Sequence, residues 1–441
     1  MQGVTMLKLF VQFLYFTFWI LGIILIKNNL IVVIKKDTLE KILEFIENIT
    51  MDKKTLIALG VLVYLISSFS SYVVFQARAA SDSSYSAPVY ENGELVDNDP
   101  KTEPCPLNGQ LYSKSQREKW KLRRPLGIMV QNNSESRPQS GLSSADIVHE
   151  AVAEGGITRF LTIYYCEDPK IVGSVRSARI YFVKLLQGFG EYPLYAHVGG
   201  ANTPGPADAL GEIKDLDWYL YNDLDQFAVP FPNYWRDYDR LPGRATEHTV
   251  YTNTQKLWAF AKKSRDLTNV DENEVEWSKN WEPWKFVEDA RTTDRGTVKS
   301  IKYGFWDDEL GSAYTVSWAY DSVSNIYKRS NGGEPHIDLN TKEQLSAKNV
   351  IVVFADETAA NDGYEGGQHL LYDVVGSDDV IIFKNGKAIK GTWEKLTEED
   401  MMRFYDDKGD EVSLVSGKIW ISILPTGNKV DYQSKLPSPK K

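Results

Sequence analysis

Two uncharged apolar runs open the chain. Residues 9–26 read LFVQFLYFTFWILGIILI and are closed by Lys27; residues 56–75 read LIALGVLVYLISSFSSYVVF. Each is about the twenty residues that a helix needs to cross a bilayer. The pattern therefore predicts membrane attachment through N-terminal helices, with the anchor at 55–76. Between the runs Leu39, Ile42, Leu43, Ile46 and Ile49 recur at helical spacing, so residues 1–50 read as a hydrophobic and amphipathic segment. Lys53 and Lys54 stand directly before the second run and only Arg78 follows it closely. Positive residues beside a span stay cytoplasmic, which puts the chain after residue 80 outside. Met51-Asp-Lys-Lys also reads as the start of a complete signal anchor. Ala77-Arg78-Ala79 fits a small-x-small cleavage pattern, but its arginine and the long apolar run favour an uncleaved anchor.

Residues 77–119 are polar and read as a flexible stalk. From 120 to 265 the pattern alternates. Residues 126–130 (LGIMV) predict a strand, 145–153 a helix, 160–165 (FLTIYY) a strand, 177–187 a helix closed by Gly188, and 195–198 a strand entering Gly199-Gly200. Residues 266–295, with Trp277, Trp281 and Trp284, read as a linker or insertion. From 296 to 430 the pattern is mostly β: Tyr314, Val316, Trp318 and Tyr320 alternate with smaller residues, and Asn385-Gly386 marks a hairpin. The class predicted is α+β: an anchor, an α/β domain, then a smaller mostly-β domain.

Composition then narrows the chemistry. The net charge of −10 offers no counterion release, so nucleic acid is a poor partner. Cys105 and Cys166 are the two cysteines; outside the cytoplasm a disulfide between them is expected, the alternative being two free thiols. No Cys-x-x-Cys, phosphate loop, His-Glu-x-x-His or Gly-x-Ser-x-Gly motif is present, and no metal or cofactor is expected.

What remains is a series of polar motifs. Arg137-Pro-Gln-Ser-Gly-Leu leads through Asp146 to Glu150; then follow Glu154-Gly-Gly-Ile-Thr-Arg159, Gly173-Ser-Val-Arg176-Ser-Ala-Arg179, Ala196-His197-Val-Gly-Gly and Thr246-Glu247-His248-Thr. Guanidinium groups suit carboxylate and phosphate. Arg176 and Arg179 would share a face if their segment is helical. The functional reading is an anion pocket; the structural one pairs each arginine with Asp146, Glu150, Glu154 or Asp168. His197 and His248 are candidate proton carriers or ligands, or backbone caps. Trp218, Tyr219, Tyr221, Tyr234 and Trp235 suit sugar rings or plain packing.

These motifs, in this order, closely resemble the YerB-like lipoproteins of bacteria, a family of unknown function. The resemblance continues through Tyr327-Lys-Arg329, Pro335-His336-Ile-Asp338, Lys348-Asn-Val-Ile-Val, Gly391-Thr-Trp393 and Gly417-Lys-Ile-Trp420, and covers residues 122–425. It implies an N-terminal α/β sandwich domain, a smaller C-terminal β domain and an extracytoplasmic place, often through a lipid anchor. Here no cysteine follows the apolar run closely enough for lipid attachment, and Glu247 stands where many relatives carry proline. The leading functional expectation is an extracytoplasmic protein that binds an anionic or glycan component of the cell envelope. Its rivals are an envelope hydrolase or transferase using Glu150 or Glu154 with His197 or His248, and a protein scaffold using the C-terminal domain.

Overall fold

A computed structural model describes residues 89–91, 94–96, 99–306, 311–364 and 368–434. The two apolar runs and the amphipathic connector lie outside the described residues. Among the described residues no helix is long and apolar enough to cross a membrane.

The first described elements hold Cys105 in place. Strands β1 (Lys101–Pro104) and β2 (Leu111–Ser113) form a hairpin that runs into helix α1 (Lys114–Trp120). Ser113 caps α1, accepting from Gln116 N while the Gln116 side chain accepts from Ser113 N, a reciprocal cap that fixes the helix start. This part of the polar stretch is therefore ordered, and a Cys105–Cys166 disulfide ties it to the body.

Ten strands build the central sheet. In chain order they are β3 (Leu126–Gln131), β4 (Ile147–Glu154), β5 (Ile157–Tyr164), β7 (Leu194–His197), β8 (Asp223–Asp225), β14 (Asn349–Ala355), β15 (Gly376–Lys384), β16 (Lys387–Lys395), β17 (Arg403–Asp406) and β18 (Ile419–Pro425). Their order across the sheet is β8-β7-β3-β5-β4-β18-β14-β15-β16-β17. The N-terminal and C-terminal halves join at β4 and β18, which pair in parallel from Ile147↔Ile419 to Glu150↔Ser422. The described residues from 99 to 434 belong to one compact unit.

Residues 145–153 were expected as a helix and are a strand. Ile147, Val148, Ala151 and Val152 fall at helix-like spacing. Yet β4 lies between β5 and β18 with both faces covered. A strand buried on both faces is apolar throughout and shows no alternation. The remaining helices are short: α2 (Ile180–Gln187), α3 (Ala209–Asp215) and α4 (Thr254–Arg265). The expected α+β class with a helical anchor is thus corrected: the described chain is mostly β. α2 sits so close to β3 that a Cβ at Gly127 would lie 2.8 Å from the Leu186 side chain, which explains the glycine.

Three further short strands form a small sheet of their own: β6 (Val172–Gly173), β9 (Tyr234–Arg236) and β10 (Val250–Thr252), paired in the order β9-β10-β6. A second antiparallel sheet holds β13 (Ile326–Asn331), β12 (Val316–Asp321), β11 (Ser300–Tyr303) and β19 (Val430–Gln433) in that order. It packs on the central sheet through aromatics: Trp318 meets Trp420 edge-on at 5.4 Å, and Tyr432 meets Phe383 at 5.3 Å.

Candidate functional site

The expected site residues separate into four places. Asp146 and Glu154 stand at opposite ends of β4, roughly 26 Å apart at strand rise. At the first end Asp146 is buried and accepts from Asn108 Nδ2 at 2.7 Å, Tyr165 N at 2.7 Å and Cys166 N at 3.0 Å. Burial pushes its carboxyl up to about 7. Its three donors hold the loop beside the disulfide.

Midway along β4, Glu150 enters a closed interior network. Arg329 of β13 donates from one terminal nitrogen to both carboxylate oxygens, at 2.8 and 2.7 Å; Thr158 Oγ1 and Trp420 Nε1 add bonds of 2.9 and 3.0 Å. Arg329 also sits over the Trp420 ring, 4.6 Å from its centroid. Its other terminal nitrogen lies 2.7 Å from His336 Nδ1. Arginine only donates, so Nδ1 is the unprotonated nitrogen and Nε2–H faces Gln139 Oε1 at 2.6 Å. Burial, and then the Arg329 charge, hold His336 well below its ordinary pKa. Gln139 donates onward to Asn132 Oδ1, which also accepts from Arg137 Nε, both at 3.0 Å. Arg137 finishes on the Asn132 and Ala313 carbonyls. Glu150 and Arg329 have no exposed surface. This network joins the two halves; within it the buried Arg329 Nε is left without a partner.

His197, at the end of β7, is also fully buried. Nε2 lies 2.8 Å from Asp223 Oδ1 and Nδ1 2.8 Å from the Gly199 carbonyl. Both partners accept, so both nitrogens carry protons and the ring is an imidazolium. Burial alone would lower its pKa, but the Asp223 hydrogen bond and charge outweigh that and raise it. His197 therefore has no free nitrogen for proton transfer.

The open site is at the other end of β4. A pocket of about 150 Å³ is lined by Gln131, Glu154, Arg159, Arg176, Glu247 and His248 among others. A bulge between Val152 and Glu154 and the Gly155-Gly156 turn (φ 53° and 73°) end the strand and aim Glu154 sideways. Glu154 pairs with Arg179 and lies 3.7 Å from Arg159. Arg159 also donates to the Ser177 carbonyl at 2.8 Å. The segment carrying Arg176 and Arg179 is extended, not helical: α2 begins only at Ile180, with Arg179 at its N-cap. The expected shared helix face is corrected accordingly. Arg179 turns to Glu154, while Arg176, half-buried, faces the pocket. Among the described residues no carboxylate lies within ion-pair distance of Arg176. Burial lowers its pKa, the Arg159 charge adds to that effect, and the more distant Glu247 charge opposes it.

His248 closes the wall. Gln131 donates to the Glu247 carbonyl, so its Oε1 faces His248 Nδ1 at 2.8 Å. Nδ1 thus carries the proton, and Nε2 has no partner among the described residues. Burial lowers the His248 pKa, Glu247 opposes this and Arg176 adds to it.

Gln131, Arg329, His336 and Gln139 were not among the expected site residues, because their partners stand far away in the chain and no local spacing marks them. Of the expected aromatic group, Trp218 and Tyr234 are buried, whereas Tyr219 is exposed. The exposed rings lie nearby in sequence at Phe227 (77%) and Phe231 (80%). Phe227 packs beside Gly199, 3.4 Å from the position of a Cβ there.

Two family models match the chain, the N-terminal domain of a protein of unknown function (DUF3048) at residues 112–268 and its C-terminal domain at 309–421. The chain is 31% identical to the putative lipoprotein YerB of Bacillus subtilis strain 168 over 310 residues, 69% of this chain and 82% of that protein. It is also similar to the crystal structure of the YerB protein from Bacillus subtilis, with TM-score 0.60 and 27% identity, covering 75% of this chain and all of the other. With both family domains matched in order and the motif residues spread through both, the chain belongs to the YerB-like DUF3048 family.

Proposed function

We propose that this chain is an envelope-associated, extracytoplasmic protein that binds an anionic component of the cell envelope at the Arg176 pocket. One observation carries the reading: Arg176 is half-buried beside Arg159 yet has no counter-charge within ion-pair distance among the described residues. A guanidinium removed from water without a partner is costly, and an incoming carboxylate or phosphate would relieve that cost with charge-assisted hydrogen bonds. His248 Nε2 offers a further polar contact in the same wall. Phe227 and Phe231 present exposed ring faces of the kind that stack on sugars. The extracytoplasmic place is supported by the Cys105–Cys166 disulfide, a bond that persists in oxidising compartments, and by the relative named a putative lipoprotein.

The acid–base reading is less well supported. Glu150 is held in a closed ion pair and both His197 nitrogens are occupied. Glu154 is engaged by Arg179 and Arg159.

The test is retention of the full chain on an isolated anionic cell-wall polymer. Arg176→Ala is expected to reduce retention by about tenfold, the loss of one charge-assisted contact. Unchanged retention by a folded Arg176→Ala protein would overturn the reading.

A further inference from the structure

The guanidinium groups around the pocket outnumber their counter-charges. Arg159 and Arg179 have side chains only 7% exposed, and both turn to the single carboxylate of Glu154, which is itself 38% exposed. Arg176 adds a third positive charge on the same wall. One buried donor of this group also lacks a partner: Arg179 Nε. Buried donors are nearly always satisfied. A guanidinium cluster with an unsatisfied donor and surplus positive charge has the character of a prepared anion seat.

Glu154 is well placed to occupy that seat temporarily. It is the last residue of β4, set on a bulge and followed by two glycines with positive φ, and a Cβ at Gly155 would meet nothing within 4 Å. The Gly155 side of the tip is open, and the Glu154 side chain, 38% exposed, can turn toward solvent there. A carboxylate offers two oxygens, which one guanidinium fork already matches. Three guanidiniums call for more acceptor oxygens, and a phosphoryl group supplies them.

We propose that Glu154 is a built-in surrogate anion, and that a phosphoryl group of the ligand binds by displacing it from Arg179 and Arg159 while Arg176 holds the same group from the pocket side. This rests on the anion-pocket reading above and adds to it the ligand chemistry and the competing carboxylate.

The experiment is calorimetric titration of the full chain, kept in mild detergent, with inorganic phosphate, alongside Glu154→Ala, Glu154→Gln, Glu247→Ala and Arg176→Ala. Removing a competing internal ion pair is expected to tighten phosphate binding about five- to tenfold in both Glu154 variants. Glu247→Ala removes an equal charge from the same wall without freeing Arg159 or Arg179, so it measures the contribution of net charge alone and should tighten binding clearly less than either Glu154 variant does. Equal tightening by Glu247→Ala would overturn the displacement proposal, since the effect would then be general electrostatics. If Arg176→Ala weakens binding while the Glu154 variants leave it unchanged, the pocket stands and the surrogate role of Glu154 fails. If phosphate binds to none of the folded proteins, the phosphoryl assignment fails, and retention on the anionic polymer then decides the pocket separately.

Discussion

Glu150 and Arg329 face each other across the junction of the two sheets, with one arginine nitrogen 2.7 and 2.8 Å from the two carboxylate oxygens and neither side chain exposed. The carboxylate is on β4 of the N-terminal half and the guanidinium on β13 of the C-terminal half. This contact, with Trp420 donating to the same carboxylate, makes the two halves mutually dependent.

Breaking that pair leaves an uncompensated buried charge. Arg329→Met is expected to destabilise the protein by about 3–5 kcal/mol, and Glu150→Leu combined with Arg329→Met to recover most of the loss, because a buried pair replaced by apolar groups of similar size is often near neutral. Urea unfolding of the three proteins decides it. A single-variant loss below about 1 kcal/mol would show that the pair is not what holds the junction.

The Cys105–Cys166 bond closes a segment with a sequence separation of 61. The chain-entropy model gives about 4 kcal/mol for a loop of that length. The double variant Cys105→Ala, Cys166→Ala should show a lowered melting temperature that added reductant no longer changes, whereas reductant should lower the wild-type value. A wild-type protein insensitive to reductant at its melting transition would contradict the prediction.

Burial holds His149 down to about 3, with the Lys395 charge adding to the effect. Its ring packs edge-on against Phe189 at 5.9 Å. In the unfolded chain the same ring titrates near its ordinary value of about 6.5. Between those values the unfolded state binds the extra proton, so stability falls as pH falls, by at most about 1.4 kcal/mol per pH unit for this one group. Asp146, raised by burial to about 7, acts in the opposite sense, losing stability as pH rises toward 7. His149→Leu isolates the histidine: the wild-type-minus-variant stability should decline from pH 6.5 toward pH 4. A flat difference would mean that His149 is protonated in the folded state.

Much of the strand framework was legible because it rests on local pattern. The run at 126–130 lies in β3, that at 160–165 falls in β5 up to Tyr164, and Asn385-Gly386 is the turn between β15 and β16. Residues 145–153 were misread because covering both faces of β4 erases the alternation that marks a strand. Residues 266–295 looked irregular, yet Trp277 and Trp284 are core residues: Trp284 Nε1 donates to the Met402 carbonyl at 2.8 Å and Trp277 packs on Tyr165. Their burial depends on contacts made far along the chain. The site followed the same division. Arginines and acids were visible as residue types, but pairing was not: Glu150 finds Arg329 and His336 finds Gln139, partners that no spacing predicts.

The last prediction concerns protons at the pocket. His248 is neutral near pH 7, since burial and Arg176 together lower its pKa against the pull of Glu247, while Nδ1 is committed to Gln131. An anion seated beside Nε2 would favour the imidazolium and raise that pKa. Binding must then take up a proton wherever the pH lies between the free and bound values, and affinity must rise as pH falls through that window. Titration with inorganic phosphate in two buffers of different ionisation enthalpy measures the uptake directly. The wild type is expected to gain up to one proton per anion more than a protein lacking the His248 imidazole, at pH values between the free and bound pKa of His248. His248→Gln, which keeps a polar side chain at that position, should show only the proton change of the phosphate itself, a release where binding favours its more ionised form. Identical proton uptake by the two proteins would place the bound anion out of reach of His248, toward the Arg159 and Arg179 side of the pocket.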